Sequence, residues 1–252
     1  MVWIPIAFGA VAFLYALAGF GGGSTYIALL VIAGLPLAVI PVISLTCNLI
    51  VSGQGACQLS RRGHIQWRML VPLLLGSMPA AFLGGAWQLS GEVFLWVLTV
   101  TLTAAGVALL WRPVPETSNR QNRTAKYSTT LLLGSVLGLV SGLSGIGGGI
   151  FLAPVLHLLR WDTARAISSA AAVFIALNSL AGLVGQLTKG LGRLGEVPAF
   201  LLWACPVAVL IGGVVGSHQL ATKLSSDRIR RVTAIVVLLV ALRLWLRLLV
   251  GS

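Results

Sequence analysis

From Met1 to Ser60 the chain carries no Lys, Arg, Asp or Glu. In hydrocarbon every backbone N–H and C=O must find a partner within the protein, so only helices and closed barrels span a membrane. Barrel strands alternate apolar and polar residues over short segments, and this chain does not. Similar apolar tracts recur to the C-terminus, and only 9% of the 252 residues are charged, against roughly 25% in soluble domains. The expected fold is an all-α polytopic membrane protein. The opening segment, "MVWIPIAFGAVAFLYALAGF", has no basic n-region and no small-residue cleavage site. It reads as a retained membrane segment rather than a signal peptide.

Inside that first tract stands "GFGGGSTYIALL", Gly19 to Leu30, and a near copy, "GIGGGIFLAPVL", runs from Gly145 to Leu156. The likeness extends further. Asn48 matches Asn178, Gly55 matches Gly185, and Pro79 with Gly84-Gly85 resembles Pro206 with Gly212-Gly213. The polar, proline-bearing stretch "RPVPETSNRQNRTAK" lies between the copies and reads as a linker. The chain divides into a first membrane repeat (1–111), a cytoplasmic linker (112–126) and a second membrane repeat (127–252).

Each repeat has an apolar segment running into the glycines (3–20; 128–144), then a short apolar segment (24–35; 150–159), then three spans (37–59, 69–90 and 93–111; 163–188, 197–221 and 229–249). A short segment of ten to twelve residues reaches about 15–18 Å as a helix. That is about half the hydrocarbon thickness, so these are half-helices.

Basic residues decide orientation. Arg61, Arg62 and Arg68 put the 60–68 loop inside, with the linker's Arg112, Arg120, Arg123 and Lys126. The 89–92 loop carries only Glu92 and falls outside. In the second repeat Lys223, Arg228, Arg230 and Arg231 place 222–231 inside, which leaves 188–196 outside. Matching loops lie on opposite sides, so the expectation is two inverted repeats. Five passes per repeat, or a re-entrant hairpin plus three spans, predict the same loop sides. Inverted repeats with broken helices are typical of secondary transporters, whose substrate sits near the midplane where the breaks meet.

A glycine break leaves the first N–H groups of the next helix without intrahelical partners, at the positive end of its dipole. Two such ends facing each other make a site for a small anion. The glycines expected to build it are Gly21, Gly22, Gly23, Gly147, Gly148 and Gly149, with Ser24, Thr25 and Ser144 at the breaks. Polar residues at apolar depth complete the expected substrate-binding set: Ser44, Asn48 and Gln54 in one repeat, Asn178 and Gln186 in the other. Thr46, Ser168 and Ser169 lie near them. Close helix packing is the plainer role for glycine, a back-bond to the same helix for Ser and Thr, and an interhelical hydrogen bond for Asn and Gln.

The net charge is +12. It fits topology control and contact with anionic membrane lipid, and a basic mouth also draws in anions. No soluble module is present to hold nucleic acid. Cys47, Cys57 and Cys205 lack metal or redox spacing, and neither a metal nor a cofactor is expected. No carboxylate sits at mid-membrane, which argues against a buried Asp/Glu proton relay. His64, His157 and His218 lie near span ends or loops. Gly212, Gly213 and Gly216 allow a homodimer face as readily as internal packing.

The duplicated GxGGG break, the half-helix after it, and the "LP" turn at Leu35-Pro36 before a polar second helix resemble the sulfite exporter TauE/SafE family over nearly the whole chain. The resemblance implies a multi-pass permease of the cell (cytoplasmic) membrane, moving sulfite, a sulfonate or another small sulfur-containing or organic anion. The second half departs from the pattern: "LRWDTARA" replaces the "LP" turn and puts Arg160 and Arg165 near an inner mouth. An anion channel could use the same helix ends, and a purely structural membrane scaffold would bind no anion. An intramembrane serine protease is the remaining rival, through "GLSG" at Gly142–Gly145 with His218 as base. The duplication explains that motif without catalysis.

Overall fold

A computed structural model describes residues 1–18, 21–60, 67–110, 127–148, 151, 152, 156, 164–218 and 226–250. The 112–126 linker, Gly149 and most of the second half-helix lie outside these residues. Everything regular among the described residues is helical: α1 (Trp3–Ala18), α2 (Gly23–Ile32), α3 (Ile40–Ser60), α4 (Trp67–Ala86), α5 (Gly91–Leu110), α6 (Tyr127–Ser144), α7 (Ala164–Leu187), a 3₁₀ turn (Leu191–Glu196), α8 (Ala199–His218) and α9 (Ser226–Val250). Among the described residues, five stretches are long and apolar enough to cross a membrane: Ile40–Gln58, Gly91–Ala108, Tyr127–Ser144, Ser169–Leu187 and Ala199–Ser217. Large apolar side chains such as Trp203, Leu132 and Leu249 point outward. That is expected where the solvent is lipid.

Helix α2, ten residues long, does not continue α1. Gly22 lies against Val11, Thr25 Oγ1 is 2.9 Å from the Tyr15 hydroxyl, and Tyr26 stacks on Phe8. The chain therefore doubles back after Ala18, and α1 and α2 form a helical hairpin.

Small residues let the helix backbones touch. Along α1 and α8, Gly9 meets Ala208 and Gly212, and Phe13 and Ala16 meet Gly216. Numbering rises together, so these helices are parallel. So are α4 and α6, where Leu73 meets Gly134, Ser77 meets Gly138 and Ala81 meets Gly142. Helices α3 and α8 run parallel through Gln54–Leu210 and Gln58–Ser217 hydrogen bonds. Helices α4 and α7 do so through Ser77–Asn178 and Phe82–Gly185. By contrast α3 and α7 are antiparallel, since Asn48 meets Ser179 while Leu45 meets Gly182. Helices α5 and α9 are antiparallel too, through Gly106–Leu238 and Thr103–Trp245. Helices α1, α3 and α8 thus point one way, and α4, α6 and α7 the other.

The opening segments are exchanged: α1 packs on α8 and α6 on α4. The matched glycine pairs do matched work. A Cβ on Gly84 would strike the Leu139 carbonyl of α6, and one on Gly212 the Gly9 carbonyl of α1. Gly85 and Gly213 instead admit Gly182 of α7 and Gln54 of α3. Gly212, Gly213 and Gly216 are therefore engaged in internal packing.

Candidate functional site

The two breaks meet, and α3 holds them together. The Gly23 N–H, at the start of α2, donates to Asn48 Oδ1 at 3.1 Å. Asn48 Nδ2 donates to the Ile146 carbonyl of the second break at 3.2 Å and to Ser179 Oγ of α7 at 3.0 Å. One turn earlier, the single Ser44 Oγ–H is shared between the Gly23 carbonyl at 3.1 Å and the Gly145 carbonyl at 3.0 Å. Ser44, Asn48 and Ser179 are all fully buried. Backbone freed from helical pairing must be satisfied by neighbouring protein at this depth, and these two side chains do it for both breaks.

The same glycine motif serves the two breaks differently. In the second, Gly145, Gly147 and Gly148 have φ of +74°, +85° and +77°, the left-handed region that side chains resist. In the first, glycine is needed for proximity. A Cβ on Gly21 would strike Asn48, and one on Gly23 the Ile146 carbonyl. The following helix begins at Gly23, with Gly22 as N-cap, slightly ahead of the expected Ser24-Thr25 start.

Asn178 does not mirror Asn48. Its Nδ2 donates to Ser77 Oγ of α4 at 3.0 Å and to its own helix at Phe174 O, 2.8 Å. Its Oδ1 is buried without a partner. A flipped amide would set that oxygen against the Phe174 carbonyl, so the orientation is chemically determined. Nearby, Ser141 Oγ is also buried and unpartnered, 3.3 Å from where a Cβ on Gly148 would stand.

Ser24 and Thr25 are buried at the start of α2. Thr46 and Ser144 hydroxyls back-bond to Val42 and Val140 carbonyls at 2.8 and 2.7 Å, the plainer expectation for each. Gln54 donates to Leu210 of α8 at 3.2 Å. Gln186 donates to Gly142 of α6 at 3.4 Å and accepts from Lys189 Nζ at 3.1 Å. The two glutamines follow Asn48 and Asn178 along antiparallel helices, so they flank the crossing from opposite sides, and Gln54 Oε1 is buried without a partner. Gly149 and the Ser168 side chain lie outside the described residues, as do Arg160 and the imidazoles. Sequence reading missed Ser77, Ser179, Ser141 and Tyr26. Ser179, directly after Asn178, and a Tyr in the first turn of a half-length helix were the available signals.

Comparison with known proteins shows the family. The family model "Sulfite exporter TauE/SafE" matches residues 4–244. The chain is 32% identical over 246 residues to the probable membrane transporter protein y4hK of Sinorhizobium fredii, covering 96% of this chain and 97% of that one. It is 24% identical over 246 residues to the probable membrane transporter protein YjnA of Bacillus subtilis, covering 92% and 94%. The probable membrane transporter protein MJ0441 of Methanocaldococcus jannaschii is 34% identical over 92 residues, 34% of each chain. No solved structure matches significantly.

Proposed function

This chain belongs to the sulfite exporter TauE/SafE family of membrane transporters, and from that premise we propose that it is a permease carrying a small sulfur-containing or organic anion, such as sulfite or a sulfonate, by alternating access. The observation that carries this reading is the crossing of the two breaks, stapled by Ser44 and Asn48 across both halves. The anion binds there, against the start of α2 and the Gly147-Gly148 turn, with Ser24, Thr25 and Asn178 beside it. Helices that correspond between the halves run in opposite directions, α1 against α6 and α3 against α7, which supports inverted repeats rocking about the crossing. Rocking would break and remake the Asn48–Ile146 and Ser44–Gly145 bonds, exposing the site to one side and then the other.

Flux of sulfite into proteoliposomes tests this. Saturable uptake, reduced in Asn48→Ala or Asn178→Ala variants that still purify as folded protein, is the expected result. Ohmic single-channel steps would replace the carrier by a pore. No flux of sulfite, sulfoacetate or thiosulfate by folded wild type would remove the sulfur-anion assignment.

A further inference from the structure

The Tyr26 hydroxyl is a buried donor with nothing to donate to. The residue is fully buried, and its OH has no hydrogen-bond partner. The ring is fixed in place: it stacks on Phe8 with centroids 4.6 Å apart and planes at 25°. It folds back one turn along its own helix, as long helical side chains do. Its hydroxyl-bearing carbon Cζ comes to 3.0 Å from where a Cβ on Gly22 would stand. Gly22 is the N-cap of α2 and supplies no side-chain cap. The phenol end of Tyr26 thus lies beside Gly22, at the N-terminal end of a ten-residue helix.

That end collects donors. The Gly23 N–H is taken by Asn48, but the N–H groups of Ser24 and Thr25 have no carbonyl four residues back within α2. The Thr25 hydroxyl sits beside, paired with Tyr15. Phenylalanine at position 26 would keep the stacking on Phe8 without burying an unpaired hydroxyl, which costs stability. The hydroxyl therefore calls for an acceptor arriving from outside the protein. The positive end of the helix dipole says what charge that acceptor carries.

We propose that Tyr26 donates its phenolic hydrogen to an oxygen of the transported anion, making it a substrate-binding and specificity-determining residue for a small oxyanion at the start of α2. This rests on the transport reading above. Tyr26→Phe removes only the donor. Sulfite flux in proteoliposomes and the sulfite-induced rise in detergent melting temperature are read for wild type and variant. The expected result is an unliganded melting temperature equal to or above wild type, with the sulfite concentration for half-maximal flux raised about tenfold, as for loss of one charge-assisted hydrogen bond. Site-specific 3-fluorotyrosine at position 26, a stronger donor of nearly the same shape, should lower that concentration. Wild-type saturation in Tyr26→Phe, with 3-fluorotyrosine also silent, would overturn the assignment and leave transport standing. Wild type that neither transports nor is stabilised by sulfite would defeat the transport reading and this inference with it.

Discussion

Asn48 and Asn178 correspond in sequence, yet their surroundings give them different weights. Removing the Asn48 side chain unpairs the Gly23 N–H, the Ile146 carbonyl and Ser179 Oγ at once. Orphaned buried groups cost about 1–3 kcal/mol each in soluble proteins, and less in membranes, where the unfolded reference also finds partners. We expect Asn48→Ala to lose about 2–4 kcal/mol. Asn178→Ala should lose about 1 kcal/mol or less, because one of its bonds is local and its unpaired Oδ1 disappears with it. Thermal unfolding of the two variants in one detergent ranks them, and a less stable Asn178→Ala would contradict the assignment of Asn48 as the staple. Glycines divide just as sharply. Gly23→Ala drives a methyl into the Ile146 carbonyl, whereas a Cβ on Gly53 of α3 meets nothing within 4 Å. Gly53→Ala should gain up to about 0.5–1 kcal/mol from helix propensity. Gly23→Ala should fall well below wild type in the same melting assay.

At the level of helices, the sequence announced the elements better than their faces. The break after Ala18, the half-length α2 and the matched Pro–Gly-Gly pairs were all legible, because glycine and proline leave marks that an apolar background cannot hide. Helix rotation was not legible. A membrane helix is apolar on both its lipid-facing and its protein-facing sides, so the amphipathic signal that orients a soluble helix is missing. No periodicity announces that Gln54 bonds to α8, or that Gln186 bonds to α6 and Lys189. The inward face of Tyr26 carries no such signal either. What glycine does encode is close approach. Gly84→Ala and Gly212→Ala, matched positions on α4 and α8, each push a methyl against a backbone carbonyl of the opposite half's opening segment. Overpacking of this kind costs about 1–3 kcal/mol, and the two variants should destabilise to a similar extent. Gly91→Ala, where a Cβ meets nothing within 4 Å, serves as the neutral reference, and size-exclusion monodispersity after heating reads all three.

Across the whole molecule, helix directions and loop charges can be combined into one test. Antiparallel α3 and α7, with parallel α3 and α8 and parallel α4 and α7, mean that α4 and α7 end on the same side of the protein. The turns that follow them, around Ser90 and around Gly192, must then share a face. The positive-inside rule predicts that this face lies outside and that the Arg- and Lys-bearing 112–126 segment lies inside. Both Ser90 and Gly192 are exposed, and a Cβ on Gly192 meets nothing within 4 Å, so cysteines at these positions should not disturb the fold. In a background with the three native cysteines replaced, Ser90→Cys and Gly192→Cys should react with a membrane-impermeant maleimide on intact cells. Ser118→Cys in the linker should react only after permeabilisation. Two parallel halves would separate the first two sites, because 188–196 would then share the side of its counterpart, the 60–68 loop. Labelling of Ser90 and Gly192 from opposite sides would therefore break the inverted arrangement, and alternating access about the crossing would lose its geometric basis.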